Sequence, residues 1–156
     1  MFGNEPFRAD SRLIARALSV LRIVTALLFL QHGTGKILGF PMSSMAFPPP
    51  WTLFWIAGML ELIGGLLLLV GFLSRPVAFL LAGEMAIAYW MIHAPQDLYP
   101  VVNRGEAAIL FCFIFLYIFF AGAGPWSVDC WLQKKREAEG PLGYYESGHS
   151  GAPEQG

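Results

Sequence analysis

The sequence predicts an all-α fold, an up-down bundle of four helices that cross a lipid bilayer. Three observations carry that prediction. Hydrophobic residues make up 56% of the chain and charged residues 13%, where soluble domains average about 45–50% and about 25%. Four apolar runs approach or reach the roughly 20 residues that a helix needs to cross the hydrocarbon. The connections between them are short, which favours one antiparallel bundle over two domains. The reading divides the chain into a cytoplasmic amino-terminal segment (1–14), a membrane domain (15–132) and a disordered cytoplasmic tail (133–156).

The first run is read from Leu21 to Lys36, LRIVTALLFLQHGTGK. Its apolar heart, Ile23 to Leu30, is bracketed by Arg22 on one side and by Gln31, His32 and Lys36 on the other. Wound as a helix, Arg22, Thr25, Phe29, His32 and Lys36 recur at spacings of three and four and share one stripe. A charge at such depth costs roughly 2.5–3.5 kcal/mol unless a partner meets it. The arginines ahead of this run resemble the start of a signal peptide, but Gln31 to Lys36 supplies no small-residue cleavage site, so the helix is expected to be retained.

A charge-free loop, Phe40 to Pro50, ends in three prolines that can pre-set a helix start. Trp51 and Trp55 open the second run, which reaches Leu73 and carries one charge, Glu61, with Gly58, Gly64 and Gly65 close by for helix approach. After the Ser74-Arg75-Pro76 turn, the third run extends from Val77 to Ile92. It holds Glu84 at its centre and a packing ridge of Ala78, Ala82 and Ala86; Tyr89, Trp90 and His93 mark its far end. A loop with Gln96, Asp97 and Asn103 leads to the uncharged fourth run, Ala107 to Ala123, with Glu106 at its mouth. From Lys134 the chain is charged, then rich in Gly, Pro, Ser and Glu, which predicts disorder.

Lysine and arginine set the orientation. Arg8, Arg12, Arg16, Arg75, Lys134, Lys135 and Arg136 lie on one side; Lys36 and Arg104 lie on the other. Both termini are therefore expected in the cytoplasm. Trp51, Trp55, Trp90 and Tyr99 then form the outer aromatic belt, and Trp126 and Trp131 the inner one.

Depth follows from about 1.5 Å per helical residue. On that rise Arg22 lies roughly 9 Å inside the inner boundary, Glu84 about 12 Å above Pro76 and Glu61 about 15 Å below Trp51. Two polar tiers are expected: Arg22 with Glu61 and Glu84, and an outer tier of His32, Lys36, His93, Asn103 and Glu106. A mid-membrane carboxyl is either paired or protonated, and either state suggests a site. The competing readings are plain. Arg22 can snorkel to the headgroups, Lys36 and Glu106 can be solvated at an interface, and the histidines can be structural.

Several chemistries fall away. A net charge of -1 offers no basic field for nucleic acid. Cys112 and Cys130 fit neither a C-x-x-C motif nor a metal spacing; Cys112 reads as packing. A di-iron bundle wants Glu-x-x-His, but Gly64 and Ile87 stand three residues after the two glutamates. Lone histidines on separate helices are weak haem candidates, and no zinc motif, phosphate loop or nucleophile elbow is present.

The pattern as a whole resembles the DoxX family of small membrane proteins. The matching pieces are Arg22, His32-Gly33 and Lys36; Glu61, Gly64-Gly65 and Gly71; Glu84-Met85; Asn103 and Glu106; and Gly122-x-Gly124-x-x-Ser127-x-Asp129. They cover roughly residues 15–130. The resemblance implies a four-helix membrane protein related to subunits of membrane oxidoreductases, including thiosulfate:quinone oxidoreductases, and to proteins of catechol and quinone stress responses. The chain lacks the paired cysteines that direct thiol-disulfide chemistry needs. Two function classes remain open. In one, the chain is the membrane subunit of a redox system, at most part of an oxidoreductase, and binds a quinone between its helices while Glu61 or Glu84 exchanges protons. In the other it performs no chemistry, anchoring partner proteins or passing a small solute, with its buried charges setting helix register. The expected partners are the lipid bilayer, redox proteins and a second copy of the chain.

Overall fold

The computed structural model describes residues 10–41 and 47–139. Helix α1 spans Ser11–Leu38, where the Asp10 side chain accepts from the Arg12 N–H and Gly39, at φ 71°, turns the chain out of the helix. Helix α2 spans Leu53–Val70, capped by the Thr52 hydroxyl and closed by Gly71 at φ 72°. Helix α3, Ser74–Ala88, continues through one π-helical turn over Tyr89–His93. A short α4, Pro100–Asn103, precedes α5, Glu106–Ala121, and α6, Val128–Glu139, closes the described chain.

The expected all-α membrane bundle is the architecture observed. α1, α2 and the stretch Ser74–His93 are long and apolar enough to cross a membrane, and α5, at 16 residues, is the shorter fourth helix. α1 packs chiefly on α2, and α3 on α5, with α2 and α3 joining the two pairs. The interior holds Ala26, Phe29, Leu68, Ala78, Leu81, Phe115 and Ile118, all fully buried. Large apolar side chains such as Leu28, Ile63, Phe79, Phe113 and Phe120 point outward. A bundle apolar on both faces has lipid, not water, as its outer solvent.

Small residues set the register between helices. A Cβ added at Gly33 would lie 2.5 Å from the Leu62 backbone nitrogen, so α1 and α2 touch main chain to main chain there. Gly65 accommodates Leu30, and Gly64 accommodates Leu81 of α3, in the same way. Close approach of this kind is how membrane helices gain contact without a hydrophobic driving force.

The tail departs from expectation. α6 runs to Glu139, so the segment from 133 begins as helix; residues 140–156 lie outside the described residues, as do 1–9 and 42–46 of the loop. Gln133 donates to Glu137, and Lys135 lies 3.8 Å from Glu139. Pairs four residues apart support a helix in a segment whose composition alone reads as disordered.

Candidate functional site

Of the four cations on α1, Arg12, Arg16, Arg22 and Lys36, the latter two lie fourteen residues apart in different settings. Arg22 has no exposed surface. Its Nε donates to the Ala123 carbonyl at 2.8 Å and one terminal nitrogen donates to the Leu69 carbonyl at 2.7 Å and to that of Leu68; the other donates to Trp126. All of these acceptors are main-chain oxygens. Those of Leu68 and Leu69 belong to the last turn of α2, where carbonyls run out of intrahelical donors; Leu68 also accepts from the Gly71 N–H at 3.1 Å. Those of Ala123 and Trp126 belong to the strap that joins α5 to α6.

That strap is bound on every side. The Ser19 hydroxyl accepts from the Trp126 N–H at 3.2 Å, and the Asp129 N–H donates to the Gly71 carbonyl at 2.9 Å. The Asp129 carboxylate accepts from the Leu73 and Ser74 N–H groups, each at 2.9 Å, and so caps α3 from a distant part of the chain. Leu73 itself sits in the left-handed region at φ 50° and offers α3 no side-chain cap. Gly124 at φ 77° lies hard against Ser19, where no side chain fits. A groove of about 430 Å³ runs beside this strap, with Ser74, Arg75, Asp129 and Cys130 on its walls.

Arg22 therefore does not meet Glu61 or Glu84, and the expected inner tier is corrected. The cation that meets Glu61 is Lys36, whose Nζ lies 2.6 Å from Oε1; the side chains are 18% and 3% exposed. The reason is register. The Gly33 contact sets Glu61 and Leu62 beside α1, and Lys36 follows one turn later, its Cβ packed against Gly58. Arg22 stands level with Leu68, two helical turns from Glu61, on the order of 10 Å at 1.5 Å per residue.

Glu61 and Glu84 do share a layer. Gly64 touches Leu81, and in antiparallel helices one turn onward sets residue 61 opposite residue 84. The same register sets Glu84 in the layer of the Lys36–Glu61 pair. Three carboxyl oxygens in this cluster, Oε2 of Glu61 and both of Glu84, are buried without a hydrogen-bond partner among the described residues. Lys36 also borders a cleft of about 290 Å³ whose other walls are Pro48, Pro49, Thr52 and Phe54.

The rest of the expected outer tier disperses. His32 is exposed and packs its ring near Phe29 and Phe111, at 6.4 and 5.9 Å between centroids. His93 holds the Asn103 carbonyl through Nδ1 at 2.9 Å. Asn103 is buried; it donates to the Asp97 carbonyl and accepts from the Gly105 N–H, both at 2.8 Å, and so closes the α3–α5 connection. Glu106 is exposed in the first turn of α5, and among the described residues it has no ion-pair partner. Lys36 thus pairs with neither Glu106 nor His32 or His93. Asp129 was legible as part of a motif, but nothing in the sequence marked its partners, which are backbone N–H groups.

Comparison with known proteins agrees with the architecture. The sequence pattern of the DoxX family matches residues 17–94. An uncharacterized protein of Haemophilus influenzae is 41% identical over 125 residues, covering 76% of this chain and 92% of that protein. The inner membrane protein YqjF of Escherichia coli is 30% identical over 127 residues, covering 74% and 92%. No solved structure matches.

Proposed function

The chain belongs to the DoxX family of membrane proteins, and on that footing we propose that it is the membrane subunit of a quinone-linked redox system, with its ligand site at Lys36. The observation that carries this reading is the Lys36–Glu61 ion pair beside an apolar cleft. Pockets for small molecules combine apolar walls with a few placed polar groups. Lys36 offers an ammonium to a carbonyl oxygen while Glu61 holds it in place, and Pro48, Pro49 and Phe54 receive the ring or its apolar tail. Electrons come from a partner protein, because the chain's own groups include no paired cysteines. Both termini lie in the cytoplasm and the membrane is the inner membrane, which sets the cleft toward the outer leaflet. Association with a second copy of the chain is compatible with this arrangement.

The test begins with full-length protein purified in lipid nanodiscs and extracted for bound quinone. A short-chain benzoquinone is then titrated into the wild type and K36M. Bound quinone, with at least a tenfold weaker affinity in K36M, is the expected result. A quinone-free preparation whose K36M and E61Q variants bind the probe as the wild type does would contradict it.

A second reading has its own support. Arg22 gives all its bonds to main-chain carbonyls, so one of the two deep cations is architectural. If Lys36 were the same, the chain would be an anchor or assembly protein, or a path for a small solute. Unchanged quinone-dependent growth in K36M, at normal protein levels, would select this reading.

A further inference from the structure

The Lys36 cluster contains one cation and two carboxyl groups. Lys36 satisfies one oxygen of Glu61 at 2.6 Å, while Glu61 is nearly fully buried with its second oxygen unpartnered. Both Glu84 oxygens are buried and accept no hydrogen bond from the described residues. The titratable groups on the surrounding helices do not add a second cation. α1 brings Lys36 and, one turn away, His32, which is exposed; α2 brings only Glu61; α5 brings Cys112, Tyr117 and an exposed Glu106. A second carboxylate left unpaired in low dielectric is strongly disfavoured, and such a group takes up a proton instead.

We propose that Glu84 is a proton-binding site inside the membrane, neutral at rest, with Lys36 held on ionised Glu61 and free to be shared when the Glu84 proton leaves. The resting cluster is then Lys36 ammonium, Glu61 carboxylate and Glu84 carboxylic acid, with zero net charge. Release of the proton to water or to an acceptor in the cleft leaves the Glu84 carboxylate, and the cluster gains one negative charge. Lys36, on a flexible four-carbon stem with three donors, then divides its hydrogen bonds between the two carboxylates. Lys36 borders the cleft, and the Gly64–Leu81 register sets Glu84 opposite Glu61, so the Glu84 proton lies in the same layer as the ion pair that reaches the cleft. The inference concerns a proton and stands whether or not a quinone binds.

Infrared spectroscopy of the full chain in lipid nanodiscs at neutral pH reads the proton directly, as the C=O stretch of a protonated glutamate shifted by ¹³C-glutamate labelling. The wild type shows one such acid per chain. E84Q shows none. E61Q also shows none, because Lys36 passes to Glu84 and ionises it. K36M shows two, since both carboxyls lose their cation, and H32Q matches the wild type. Far-UV circular dichroism confirms that each variant is folded; should E84Q fail to fold, E61Q and K36M still decide. Absence of the acid band from the wild type, its survival in E84Q, or wild-type intensity in K36M or E61Q overturns the proposal.

Discussion

The two ends of α1 show what a deep cation can be for. At Arg22 every bond goes to a main-chain carbonyl, and the guanidinium joins the last turn of α2 to the strap between α5 and α6. At Lys36 one ammonium meets one of four nearby carboxyl oxygens and borders a cleft. The first arrangement is closed. The second leaves buried polar atoms in need of a proton or a ligand. The side-chain chemistry suits each place, since a planar fork with five donors can bridge several carbonyls and a compact ammonium can change partners.

Variants can break this contrast, beginning with the largest effect. R22L takes that donor from the carbonyls of Leu68, Leu69, Ala123 and Trp126, of which Leu68 keeps the Gly71 N–H. At about 1–3 kcal/mol for each of the other three, the loss reaches roughly 3 kcal/mol or more. Unfolding in mixed SDS micelles measures it, and R22K should recover only part, because an ammonium cannot reach all four. No substitution of a partner side chain can rescue R22L, since its partners are backbone. G33A comes next: its Cβ would meet the α2 main chain, so α1 and α2 must part, at about 1–3 kcal/mol for overpacking. It should also weaken the Lys36–Glu61 pair while leaving the Arg22 strap intact. D129A removes the remote cap of α3 and should cost about 0.5–2 kcal/mol. The smallest effect is G83A, where a Cβ meets nothing; replacing a mid-helix glycine should be neutral or stabilise by up to about 1 kcal/mol.

Much of this was legible in the sequence because each legible feature is local. Run length and hydropathy gave the helices, and Gly58, Gly64 and Gly65, read as points of helix approach, stand where helices touch. Glu61 and Glu84 could be set in one layer because each was counted from a nearby turn. Arg22 could not be paired the same way. Depth counting depends on membrane boundaries that carry errors of a few residues, whereas the register of α1 on α2 is decided by a backbone contact at Gly33. The acceptors of Arg22 were invisible for a second reason: a carbonyl oxygen belongs to every residue and leaves no mark on composition. α6 outran its expected end because its charges are spaced for helical pairing, which a count of charged residues does not register.

Glu61 answers to Lys36 and not to Arg22. A double-mutant cycle on unfolding free energy, pairing E61Q first with K36M and then with R22K, measures both couplings on one scale. We expect the Lys36 and Glu61 substitutions to couple by about 1 kcal/mol or more, as residues in contact do, and the Arg22 and Glu61 substitutions to add within about 0.5 kcal/mol. Additive effects at Lys36 and Glu61, or strong coupling between Arg22 and Glu61, would contradict this pairing.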